Sequence, residues 1–154
     1  MVARSAARAR GVTVSLATAC LVTACLVTAC GGPPSPPEAA QTVGSWGATA
    51  QFVTERWNHS AVSRKFAVVT LGRAGSELEA LATKVAQFPD TASGRAPLVA
   101  GLKEIRAEIA ALDTAAAHDD HATAARIAPK LAMATAQMDT VGDRLQSQQQ
   151  AQSK

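Results

Sequence analysis

The chain has 154 residues, with 15 basic and 12 acidic side chains, 47% hydrophobic residues and no tyrosine. This length fits one compact domain, and an aromatic content of only 3% argues against a strand-rich fold. The net charge of +3 comes from three arginines within the first ten residues, since basic and acidic residues balance in the rest. Once the first ten residues are set aside, that balance gives no support for a basic nucleic-acid-binding face.

Residues 1–29 have the composition of a cleavable export signal. Arginines without any acidic residue precede an uncharged stretch from Gly11 to Val27, which matches a basic n-region followed by an apolar h-region. A membrane-spanning helix needs roughly 20 apolar residues, whereas this stretch is shorter and is interrupted by serine and threonine. Cleavage is therefore favoured over a permanent transmembrane helix.

The uncharged stretch leads into a short motif, Val27-Thr28-Ala29-Cys30. It resembles the lipobox of bacterial lipoproteins, in which an aliphatic residue, a small or β-branched residue and Ala or Gly precede a cysteine. The resemblance implies that the signal is cut before Cys30, that its sulfur carries a diacylglyceryl group, and that the new N-terminus is acylated. The sequence ending at Cys25 fits the same pattern, but a cut there would leave two aliphatic residues exposed, so Cys30 is favoured.

The cysteine positions agree with this interpretation. Cys20, Cys25 and Cys30 all lie at or before the expected cut, so the mature chain would keep one cysteine, already bound to lipid. Neither a disulfide framework nor a thiolate metal site nor a cysteine nucleophile is then expected. Two or more acyl chains, such as palmitate, give durable attachment. The lipoprotein resemblance, together with the export signal, implies a location on the extracytoplasmic face of the inner or the outer membrane.

Beyond the cysteine, the sequence predicts a tether, a helical domain and a tail. Residues 30–41 contain four prolines and are expected to form an extended tether. Residues 42–147 contain four segments whose apolar residues alternate at spacings of three and four, as in helices facing a common core. The predicted core positions are Val43, Trp46, Ala50, Val53, Trp57, Ala67, Leu71, Ala74, Leu78, Leu81, Val85, Phe88, Leu98, Leu102, Ile105, Ile109, Leu112, Ala116, Ala124, Ile127, Leu131, Ala134, Met138, Val141 and Leu145. Residues 148–154 are expected to form a disordered tail.

This pattern predicts an all-α fold, an antiparallel up-down four-helix bundle. The first two segments share one heptad register, so the alternative is a three-helix bundle with one long first helix over residues 43–88. A hairpin is favoured because the polar residues Asn58, His59 and Ser60 suit a turn between the two segments.

Two further features concern the helices themselves. Gly72 and Gly75 are expected to let two helices approach closely. Pro129, which lies inside the fourth segment, is expected to kink that helix or to mark a late start.

An up-down bundle places its first and third turns at the same end, and this brings the three histidines of the chain together. Imidazole and carboxylate groups suit zinc or copper. The candidate metal ligands are His59, His118, Asp119, Asp120 and His121. The simpler interpretation is that these polar residues form tight turns and cap helices.

No motif indicates catalysis. The sequence lacks a Gly-x-Ser-x-Gly elbow, and the glycines at 72 and 75 lack the lysine of a phosphate-binding loop. Trp46 and Trp57 lie at core positions, so burial is expected, and the alternative is an apolar groove for a lipid or a partner helix. The expected function is that of a non-catalytic structural or interaction module with an envelope protein partner. No cofactor is expected for this function. The alternatives are zinc or copper handling, in which the metal would be a cofactor, and an apolar-ligand carrier.

Overall fold

The computed structural model describes residues 34–89 and 94–153, which form four α-helices and contain no strand. The helices are α1 (Pro36–Asn58), α2 (Arg64–Val85), α3 (Arg95–Ala117) and α4 (His121–Gln152). Each helix packs against the next in the chain, and α1 also packs against α4. The predicted antiparallel four-helix bundle is confirmed. Residues 59–63 interrupt the first two segments, so the hairpin is correct and the single long helix is wrong.

The predicted core is also confirmed. All the predicted positions are buried except Trp46 and Val141, which are partly buried and pack against the core. Among the described residues, two polar side chains, Thr54 and Thr135, are buried. Each donates its hydroxyl hydrogen bond to the carbonyl four residues earlier, at 2.7 and 2.8 Å, so neither carries an unmet polar group into the core.

Helix α1 begins at Pro36, inside the segment predicted to be a tether, so the predicted boundary at residue 42 is wrong. Proline is well suited to the first turn of a helix, where its missing N–H has no helical acceptor to satisfy. Ser35 precedes the helix, and Glu38 Oε2 accepts hydrogen bonds from the Ser35 backbone N–H at 2.8 Å and from its hydroxyl at 2.9 Å. These bonds hold the pKa of Glu38 below its ordinary value and fix the helix start.

The other end of the domain differs from the prediction as well. Helix α4 continues to Gln152, so residues 148–152 are helical and not part of a disordered tail. Glutamine and alanine dominate these last turns and are good helix formers. Pro129 lies within α4, which already begins at His121. The late start is therefore wrong.

Helices α1 and α4 pack closely because glycines line their contact. A Cβ on Gly44 would lie 2.5 Å from Asp139 Oδ1, and one on Gly47 would collide with the Thr135 side chain. By contrast, a Cβ on Gly72 or Gly75 would have no neighbour within 4 Å. The expectation that these two glycines mediate a close helix contact is wrong, because they face an open groove.

None of the described helices meets the length and apolarity needed to cross a membrane. The predicted signal sequence and the lipobox ending at Cys30 lie outside the described residues.

Candidate functional site

The α1–α2 and α3–α4 turns lie at the same end of the bundle, here called the distal tip (residues 57–63 and 115–123). Both turns use the same helix-ending motif, with Ser60 at φ 55° and Asp119 at φ 58°. The N–H groups of Ser60 and Ala61 donate to the carbonyls of Trp57 and Arg56, both at 2.8 Å. A left-handed residue with this pair of bonds is the Schellman motif, which usually employs glycine.

His121 connects the two turns of the distal tip. Its Nδ1 lies 3.1 Å from Asn58 Oδ1, and its Nε2 lies 3.6 Å from Asp119 Oδ1. Its ring stacks on Trp57 with 4.3 Å between ring centroids and 26° between planes. Because Trp57 is only 2% exposed, the first residue of α4 is held against the buried end of α1.

Asp120 is the N-cap of α4. Its carboxylate accepts a hydrogen bond of 2.9 Å from the Thr123 backbone N–H. Hydrogen bonds from the side chain and backbone of Thr123 hold the pKa of Asp120 below its ordinary value, with help from the charge of Arg126. Asp120 therefore supplies a hydrogen-bond acceptor for a backbone N–H group in the first turn of α4.

The candidate metal ligands do not converge. His59 and His118 are the residues that follow α1 and α3. Asp120 caps α4, and His121 lies near Asp119. Within residues 34–89 and 94–153, no group of three or more histidine, cysteine or acidic side chains is arranged to hold a metal. The prediction that both turns lie at one end of the bundle is correct. The candidate ligands serve in turns and helix caps there, and their nitrogen and oxygen atoms do not meet at one point.

Both tryptophans lie against the core, as expected. Trp57 is buried and Trp46 is partly buried and packs on the core cluster. Their indole rings therefore contribute apolar area to folding.

A groove between α2 and α3, of about 430 Å³, was not predicted. It is lined by Leu71, Gly72, Gly75, Ser76, Glu79, Ile109, Ala110 and Asp113. Arg106 of α3 forms an ion pair with Glu79 of α2 at this face. Asp113 Oδ1 is buried without a hydrogen-bond partner, and burial raises the pKa of the Asp113 carboxyl.

A second crevice, of about 230 Å³, lies at the end of the bundle opposite the distal tip. It separates the start of α1 from the last turns of α4. Its lining residues are Ser35, Pro36, Pro37, Leu145, Gln148, Gln149 and Gln152. This end of the bundle is here called the proximal end, because it contains the start of α1, which comes soon after the lipobox in the sequence.

Comparison of the chain with protein-family models, curated proteins and solved structures finds no match. These three comparisons therefore assign the chain to no family.

Proposed function

We propose that this protein is a bacterial envelope lipoprotein in which lipid on Cys30 holds a non-catalytic helical bundle at the extracytoplasmic face of a membrane. The observation that carries the proposal is the motif Val27-Thr28-Ala29-Cys30, placed after a basic and then an apolar segment. A folded helix begins only six residues after that cysteine, at Pro36.

The bundle itself supports a structural or interaction role. Its interior is filled by apolar side chains, and its two buried threonines are hydrogen-bonded to carbonyls of their own helices. These interior groups serve folding and leave recognition to the surface.

Exposed aromatic residues are consistent with a protein partner. Phe52 on α1 is 57% exposed and Phe66 on α2 is 52% exposed. The guanidinium carbon of Arg56 lies 5.1 Å from the centroid of the Phe52 ring. Aromatic and arginine side chains are enriched at protein interfaces, so the proposed partner is another envelope protein that contacts the exposed Phe52 and Arg56 side chains.

The anchor is tested by two matched substitutions in the host bacterium, Cys30→Ser and Cys25→Ser, with a palmitate analogue supplied as a metabolic label. Cys30→Ser removes the acceptor sulfur, so we expect loss of the label and an uncut signal, seen as a mature band that is replaced by the longer precursor. Cys25→Ser leaves the favoured lipobox intact, so labelling and membrane retention should match those of the parent.

A label that survives in the Cys30→Ser variant and disappears in the Cys25→Ser variant would move the anchor to the upstream cysteine. Absence of the label from the parent protein would contradict the proposal.

A further inference from the structure

The relative register of α1 and α4 can be read from their glycine contacts. Ala40 lies opposite Gly142, and Gly47 lies opposite Thr135. Continued toward the proximal end, this antiparallel register places Ser35 level with Ser147. Ser35 and the glutamines of the last turn of α4 line the same crevice, which agrees with that register.

Helix α4 therefore projects past the start of α1. It ends at Gln152, five residues beyond the level of Ser35, which corresponds to about 7.5 Å at 1.5 Å per residue. This projecting segment, residues 148–152, points along the bundle axis in the direction from which the chain enters α1.

The connection between Cys30 and the bundle is short. Five residue steps separate Cys30 from Ser35, and a fully extended chain spans at most about 18 Å over that distance. If Cys30 is fixed at the bilayer surface and the bundle axis follows the membrane normal, the end of α4 lies within about 10 Å of the level of Cys30 even when the connection is fully stretched. Every less extended connection brings the end of α4 closer.

The chemistry of the projecting segment suits lipid headgroups. Residues 146–153 contain five glutamines and no charged side chain, and the glutamines of the projecting segment are exposed. Glutamine amides both donate and accept hydrogen bonds, as phosphate and ester oxygens require. Their polarity keeps the segment out of the hydrocarbon, and their lack of negative charge avoids repulsion from anionic lipids.

We propose that the projecting end of α4 lies against the lipid headgroups and that the short connection from Cys30 holds it there. This inference rests on the proposed acylation of Cys30. It orients the bundle with its distal tip away from the bilayer, because Ala122 and Gln150 are separated by about 42 Å along α4.

The test uses the full acylated protein in phosphatidylcholine vesicles that contain a phosphatidylcholine with a spin label on its headgroup. A fluorophore is attached to a new cysteine in Gln150→Cys or, as the matched distal control, in Ala122→Cys. Both positions are exposed on the same helix, so folding should be unaffected. We expect the headgroup spin label to quench the fluorophore at Gln150 several-fold more than the one at Ala122.

A second variant lengthens the connection by 30 Gly/Ser residues inserted after Gly32, which adds an r.m.s. length of roughly 30 Å. The protein should still sediment with the vesicles, but quenching at Gln150 should fall to the level at Ala122. Equal quenching at both positions in sedimenting parent protein would overturn the inference and leave the anchor intact. Quenching at Gln150 that survives the insertion would show that the connection does not cause the contact. Failure of the parent to sediment would contradict the proposed function and, with it, the orientation.

Discussion

Two residues at the distal tip occupy backbone conformations that their side chains disfavour. Ser60 and Asp119 both have positive φ, and a left-handed conformation costs an L-residue about 1–2 kcal/mol. Asp119 offsets part of this cost, because aspartate is one of the residues that tolerate the left-handed region. Serine has no such advantage, so Ser60 is the less favourable of the two.

We expect Ser60→Gly to increase the free energy of unfolding by about 1 kcal/mol, measured by urea denaturation. The same substitution at Ser45, an exposed position inside α1, is the control. There glycine should lower stability by about 0.5 kcal/mol, because it is the poorer helix former. Equal effects at the two positions would contradict the assigned backbone conformation of Ser60.

The contributions of two carboxyl groups to the stability of the fold should change in opposite directions as the pH is lowered. The lowered pKa of Asp120 means that its stabilising contribution is complete above the ordinary aspartate value, about 3.9. It is lost as the pH falls from that value through the lowered one. The raised pKa of Asp113 means that its charged form is destabilising at neutral pH. That cost is relieved as the pH falls through the raised value toward the ordinary one.

Asp120→Asn retains a good cap without the charge, so the stability of the parent relative to this variant should decline on acidification below about pH 3.9. Asp113→Asn should be more stable than the parent at neutral pH, and this difference should narrow as the pH is lowered. Melting temperatures of the three proteins across the acid range give both comparisons. Parallel profiles for the two variants would contradict the assigned environments.

At the level of the helices, spacing predicts the core better than it predicts the ends. Apolar residues must recur on one side of each helix to reach the core, so the pattern reveals them directly. A helix end depends on a few local hydrogen bonds. Four prolines indicated a tether, yet the side chain of Glu38 and the first-turn position of Pro36 and Pro37 start α1 there.

Glycine roles are also poorly predicted by sequence. Gly72 and Gly75 have the spacing of a close helix contact, but they face the groove, whereas Gly44 and Gly47 face α4. The difference depends on the rotation of each helix about its own axis. Periodicity determines that rotation only coarsely, so the groove containing Asp113 was not predicted.

The substitution of alanine for glycine should therefore have opposite effects at two positions. At Gly47, the added methyl group would collide with Thr135, which is held by hydrogen bonds with Gln51 and the Leu131 carbonyl. We expect Gly47→Ala to cost about 1–3 kcal/mol through overpacking. At Gly75 the space is open, so Gly75→Ala should gain about 1 kcal/mol. Thermal unfolding measures both changes.

Gly44→Ala is the control in which the added methyl group meets a side chain that can move. Its methyl group would meet Asp139 Oδ1, the end of an exposed flexible side chain that can move aside. Its effect should lie between those of the other two variants. A stability gain at Gly47 would contradict the close packing of α1 on α4.

For the whole molecule, topology was predictable and side-chain convergence was not. Four amphipathic segments joined by short turns permit few arrangements, which is why both histidine-bearing turns were correctly placed at one end. Metal binding would require three ligands to meet, and that depends on how each turn closes. Here the turns direct Asp120 to the start of α4 and His121 to Trp57 and Asn58.

Under the proposed function, the location of the protein would depend on acylation of a single sulfur atom, that of Cys30. An anchor at Cys30 would determine the compartment, remove the positive charge of the first ten residues and bring the proximal end of the bundle to the membrane. A mature chain that begins at Cys30 contains 12 basic and 12 acidic residues, so electrostatic attraction to lipids would contribute little to its attachment.

Intact-mass and peptide mass spectrometry of the protein purified from its natural membranes tests this claim most directly. We expect a chain that begins at Cys30, with a diacylglyceryl group on the sulfur and an acyl chain on the new N-terminus. A chain that begins at Met1, or one in which Cys30 is unmodified, would contradict it.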